Sequence, residues 1–241
     1  MTSKRLTGIL LIIVPVVFMS LFSLLGVTFN YPTILREPTD TVLTAYQQGG
    51  LTLVLNWYGM ALSAFLLIPL AILVHKNLKT AAQDNPVLLI ATMFGVLAGA
   101  VQFLGFIRWP FMVGYLANTY LNPAATSTTR ESVDLIFQSF NYYAGVSVGE
   151  NMGYLLTALW TILIAVTLFR TARLWSILGI ISGVGILLGI LEPFGIEAVG
   201  MVSAIAYMAW AVWLVGVGIY VLRRIPQPAV NTLSAPRKAV A

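Results

Sequence analysis

The sequence predicts an all-α fold: a polytopic membrane bundle of six transmembrane helices with both termini cytoplasmic, plus an amphipathic helix on the outer surface. Three observations predict it. Of the 241 residues 59% are hydrophobic and only 9% charged, with a mean hydropathy of +0.91, whereas soluble domains carry roughly 25% charged residues. Too little polar material remains to cover a water-facing surface, so lipid must solvate much of the exterior. Six apolar stretches, at about 6–29, 51–74, 86–107, 149–169, 174–192 and 198–222, each suffice for a hydrocarbon core that needs roughly 20 residues. Finally, the basic residues concentrate in alternate breaks, as they do in cytoplasmic loops.

The first stretch follows Lys4-Arg5 in the manner of a signal peptide. Its apolar run is too long for a signal sequence and lacks a clear small-x-small cleavage site, so it reads as an uncleaved helix bent near Pro15. Alternating sides from there places Lys4, Arg5, Lys76, Lys79, Arg170, Arg173, Arg223, Arg224, Arg237 and Lys238 inside, with Arg36, Arg108 and Arg130 outside. Asp84 alone among the acidic residues joins the inner side; the other seven lie outside or at the outer boundary. The balance is +9 inside and −4 outside, together the +5 of the whole chain.

The two longest breaks are also outer. Residues 30–50 carry Pro32, Pro38 and Gly49-Gly50, and residues 108–148 form the second. In the latter, Thr128 and Glu131 have capping-box spacing, and Val133, Ile136, Phe137 and Phe140 recur on one helical face opposite Asp134, Gln138 and Asn141. This pattern predicts an amphipathic helix lying on the outer membrane surface. Capping a cavity mouth, or running into the fourth span with a bend at Gly145 or Gly149, are the other readings. Gly95 and Gly99, Gly145, Gly149 and Gly153, and the pairs Gly179/Gly183 and Gly185/Gly189 have the spacing of close helix packing. Gln102 is expected to hydrogen-bond a neighbouring helix. The proline-rich residues 225–241 read as a disordered cytoplasmic tail beyond the single membrane domain of residues 1–224.

Counting about 20 residues outward from each cytoplasmic anchor brings Asn56, Arg108, Glu150 and Glu192 to one level at the outer end of the bundle. A headgroup boundary alone accounts for charge and aromatic residues there. Periodicity points further. On the fourth span Tyr143, Glu150, Tyr154, Thr157 and Thr161 fall within about 20° of one stripe at 100° per residue. On the fifth, Ser182, Gly185, Gly189 and Glu192 share a face; Asn56 with Ser63, and Ser203 with Tyr207, add smaller pairs. The expectation is a polar wedge opening outward between the second, fourth, fifth and sixth spans, with Arg108 paired to Glu150, Glu192 or both. Candidate ligand-binding residues are Arg108, Glu150, Glu192, Asn56, Asn151, Tyr154 and Thr157.

Composition narrows the chemistry. There is no cysteine and a single histidine, His75, at a cytoplasmic helix end. No metal site or cofactor is therefore predicted, and cysteine- or histidine-based intramembrane proteolysis lacks its residues. A retinal protein lacks a mid-span lysine. The pI near 9.6 reflects topogenic charge, so nucleic acid is not an expected partner.

The runs GAVQFLGFIRWPF at 99–111, GVSVGENMGYLLTALW at 145–160 and LEPFGIEAVGMVSAIAYMAWAVWLVGVGIYVL at 191–222 together resemble the bacterial membrane proteins grouped as domain of unknown function 4386. The resemblance implies a six-helix membrane protein and little about activity. Many members carry His after the Gly-Glu pair, where this chain has Asn151, which puts a proton-transfer or metal role at that position in doubt; Arg108, Glu150 and Glu192 match. Three functions stay open. The first is binding or transport of a small molecule or lipid in the wedge. The second is an accessory or structural subunit of a larger membrane complex, joined through the glycine-rich faces. The third is an outer-leaflet hydrolase or transferase with Glu150 or Glu192 as base and Arg108 holding an anionic headgroup. Membrane lipids are expected partners in each, in a bacterial inner membrane.

Overall fold

The computed structural model describes residues 3–78, 86–196 and 198–224. The predicted tail and Lys79, Asp84 and Glu197 lie outside the described residues. Every described element is helical, and six helices are long and apolar enough to cross a membrane. The protein is a multi-pass membrane protein. Helix α1 (Ser3–Phe29) runs through Pro15 as one helix. Helices α2 (Thr39–Phe65) and α3 (Leu67–Leu78) make the second span, and α4 (Pro86–Arg108), a π-helical stretch (Trp109–Val113) and α5 (Gly114–Tyr120) the third. The fourth joins α6 (Ser127–Phe140), a π-helical stretch (Asn141–Met152) and α7 (Gly153–Leu168). Helix α8 (Arg173–Leu187) with a 3₁₀ end (Leu188–Phe194) is the fifth, and α9 (Ala198–Arg224) the sixth.

The two long outer breaks are mostly helix. Gly50, at φ +53°, ψ −149°, kinks α2, so that a helix from Thr39 meets at the kink the span foreseen from 51; that conformation is open essentially to glycine alone. The amphipathic helix is present and runs on into the fourth span, giving a 42-residue helix, Ser127–Leu168. Its cap is Thr126, whose Oγ1 accepts from the Thr129 amide at 3.1 Å. The predicted Thr128 cap is thus displaced by a residue already in extended conformation at the proper place to receive that amide. The helix's 42 residues are about twice the roughly 20 that a hydrocarbon core needs.

Each span packs on its neighbours in the chain, and α1 closes the ring against α9. Two cores fill it. The one nearer the termini joins Leu11, Leu70, Ala71, Leu88, Ala91, Trp160, Ile164, Trp213 and Val217. The one at the far end is aromatic: Trp57 and Trp109 stack at 4.5 Å, Phe29 meets Trp109 edge-on at 5.4 Å, and the Tyr46 hydroxyl donates to the Trp109 carbonyl at 2.8 Å. The glycine faces are covered from within the chain: Gly95 by Ala71 and Trp160, Gly179 by Trp213 and Ala165, Gly183 by Ile162, Gly185 by Ala206.

Candidate functional site

The outer part of the fourth span is positioned by α4. Gly105 and Gly149 meet backbone to backbone; a Cβ on Gly105 would lie 2.8 Å from the Gly149 Cα. That approach sets three α4 residues, at steps of three, against the fourth helix. Gln102 donates to Thr157 Oγ1 at 2.8 Å, the interhelical bond expected of it. Gly105 makes the contact, and Arg108 lies over Gly145, where any Cβ would strike its guanidinium at 2.4 Å.

The predicted pairing of Arg108 with Glu150 or Glu192 is not formed. Arg108 donates to Asn141 Oδ1 at 3.0 Å and to its own Gly105 carbonyl, and it sits 5.3 Å from the Trp109 ring. Glu192 instead faces Arg36 at 3.7 Å across an exposed gap. The 3₁₀ winding of residues 188–194 and the π turns beneath Glu150 rotate each carboxylate away from the level-by-level alignment that uniform α-helices would have. The same π stretch removes Tyr143 from the stripe: with each turn widened, seven residues no longer close two turns, and Tyr143 is 69% exposed.

The stripe's inner half is packed. Thr157 and Thr161 have no exposure; Thr161 donates to the Thr157 carbonyl at 2.7 Å and accepts from the Trp210 indole N–H at 2.7 Å. The expected descent of a wedge to this depth is therefore closed off by Gln102 and Trp210.

At the outer half the picture differs. Glu150 and Tyr154 are half-buried, and Glu150 has no hydrogen bond or ion pair among the described residues. Three phenols lie within reach of its charge. Tyr154 lies on Gly189, with its ring 2.6 Å from where a Cβ would be, and 5.9 Å from the ring of Tyr207, which rests against Thr157. Tyr31, just past α1, meets Trp57 edge-on at 5.1 Å. Burial pushes the Tyr31 phenol up from its ordinary value, Glu150 adds to the rise and Arg108 opposes it. Tyr31 is thus a hydroxyl donor within the fields of both charges.

Asn56 is 4% exposed, and neither of its side-chain polar atoms has a partner. Gly59 abuts Leu21 of α1, and Trp57 abuts Phe106 of α4; at 100° per residue Asn56 points between those contacts, toward the bundle axis. Ser63 on the same face is satisfied by the Met60 carbonyl. No group of three or more His, Asp or Glu able to hold a metal occurs among the described residues.

The sequence matches the family described as domain of unknown function (DUF4386) over residues 6–224. The chain belongs to this family. Neither the curated proteins nor the solved structures offer a match. In this DUF4386 protein Asn151 donates to the Ile190 carbonyl at 3.4 Å, tying the fourth helix to the fifth. Tyr31, Arg36, Asn141 and Tyr207 are absent from the candidate ligand-binding set, although the predicted wedge includes Tyr207 as the partner of Ser203. Asn141 carried a signal, since Asp134, Gln138 and Asn141 are spaced four and three apart. All three make tertiary bonds: Asp134 and Gln138 to the Thr39 hydroxyl, Asn141 to Arg108. Tyr31 and Arg36 lie in a segment with no periodicity to orient them.

Proposed function

We propose that this protein binds or carries a small molecule or lipid in a shallow polar wedge opening to the outer face of the bacterial cell membrane, with both termini cytoplasmic. The observation that carries the reading is Glu150: a carboxylate on a transmembrane helix, without hydrogen bond or ion pair among the described residues, whose charge reaches Tyr31, Tyr154 and Tyr207. An ionisable group within the membrane is expensive and marks function when nothing structural satisfies it. The accessory-subunit reading loses its main support, because the chain's own helices fill the glycine faces. Ten of thirteen basic residues on one side support the orientation.

The chain lacks cysteine, so single substitutions report access directly. Glu150→Cys and Tyr207→Cys are expected to react with a small water-soluble thiol reagent added from outside, and Thr161→Cys to stay protected. Inertness of both outer positions would defeat the wedge. For orientation, Thr126→Cys should label in intact cells and Ser234→Cys only after permeabilisation; equal labelling would reverse or abolish the assignment.

A further inference from the structure

Resting on that reading, we infer that the wedge takes an amphiphile bearing an amine: an ammonium head at Glu150 among the phenols and an apolar tail between α1 and α9. The head site follows from charge and ring placement. Glu150 is unpaired, whereas the nearby cations are engaged elsewhere, Arg108 by Asn141 and the Gly105 carbonyl, Arg36 by Glu192. The carboxylate therefore lacks a positive counterpart in contact. Phenol rings present their negative faces to a cation, and an ammonium needs hydrogen-bond acceptors. Glu150 and the hydroxyl of Tyr154, one turn further along the same helix, provide them, while Tyr207, its ring 5.9 Å from that of Tyr154, offers an aromatic face.

The tail site is an open, mostly apolar crevice of about 410 Å³ between α1 and α9, lined by Pro15, Met19 and Ser23 on one side and Ala211 and Val215 on the other. The helices are held together nearer the termini, where a Cβ on Gly218 would meet the Gly8 carbonyl at 2.9 Å. Tyr207 lies one turn outward from Ala211 on α9, and Tyr31 follows the outer end of α1, so both phenols belong to the elements that bound the crevice, on its outer side. A molecule seated there has its charge beside Glu150 and its chain facing lipid. Such chemistry has two sources, an aminophospholipid headgroup or a free lipophilic amine. The former also carries a phosphate, for which Arg108 retains unused N–H donors.

The test compares ten-carbon amphiphiles differing only in the head: decylamine, decanol and decanoate, added to the full chain in a neutral detergent while thermal unfolding is followed. Decylamine should raise the melting temperature saturably and the other two should not. Glu150→Gln and Tyr207→Ala should each weaken the decylamine response about tenfold or more, the scale of a lost charge-assisted contact, while Tyr207→Phe and the distant Glu131→Gln keep it. Native mass spectrometry separates the sources. Preferential retention of phosphatidylethanolamine over phosphatidylglycerol, lost in Arg108→Gln, assigns the lipid; a decylamine response without that preference assigns the free amine. Equal responses to all three heads, or a decylamine response that survives Glu150→Gln, overturn the inference. Should Glu150→Gln fail to fold, survival of the response in Tyr207→Ala overturns it equally. Outer cysteines that label from water but gain no protection from decylamine would leave the wedge standing and remove only the amine.

Discussion

Thr157 and Thr161 on the fourth helix are fully buried and bonded to Gln102 and Trp210 of other helices, whereas Glu150, two turns outward from Thr157, has no hydrogen bond or ion pair among the described residues. The same helix thus carries polar groups of two kinds within a few turns. In the inner region the bond is part of the packing, and a hydroxyl is cheap to satisfy because it can also donate to its own preceding turn. In the outer region a far more costly group is left for something else to satisfy. Polarity within a membrane bundle therefore becomes informative about function when it is unmatched, and uninformative when a neighbouring helix already answers it.

The strongest way to break the contrast is to separate the helices that carry both regions. Gly105→Leu drives a side chain into the Gly149 backbone and should destabilise by about 3 kcal/mol or more, roughly 10 °C in melting temperature, if the protein folds at all. Next, Arg108→Ala should lower the melting temperature by several degrees, and so should Asn141→Ala to a lesser extent. The double variant should fall short of their sum, since the two share one bond; strict additivity would show that the guanidinium is held by other means. Smaller again, a Gln102→Ala/Thr157→Val cycle should give a coupling of about 0.6 kcal/mol, the usual size of an interhelical membrane hydrogen bond. Smallest of all, Glu150→Gln should leave thermal stability unchanged or slightly raised, because no partner is stranded. A loss there as large as that of Arg108→Ala would place Glu150 with the structural groups and erase the distinction.

The six spans, their order and the interhelical role of Gln102 were legible because apolar length and helical period are local properties of the chain. The polar stripe of the fourth helix was legible only where the helix is α: Thr157 and Thr161 fall where the period puts them, while Tyr143 leaves the face because π turns intervene. Nothing in the residues Asn141–Met152 announces that winding. The predicted Arg108–Glu150–Glu192 grouping failed for the same reason. Counting residues fixes depth to within a turn, but the angle about each helix axis depends on winding, and two of the three carboxylate-bearing or facing segments are not α-helical. Asn141 and Thr39, as partners of Arg108, Asp134 and Gln138, came from tertiary docking of segments that sequence reading treats as surface.

The ring closed by α1 and α9 also bears on how the molecule is assembled. The other main packing pairs are consecutive in the chain, so most of the surface each helix packs on is already in the bilayer when it leaves the ribosome. The contacts of α9, with α1 along the seam and with the fourth span at Thr161, must wait for that last helix, with α1 meanwhile exposing the Gly8 face to lipid. The crevice lies along that seam. The last joint made during biogenesis is thus the one left partly unfilled, and it can widen or narrow without disturbing any contact between helices adjacent in sequence.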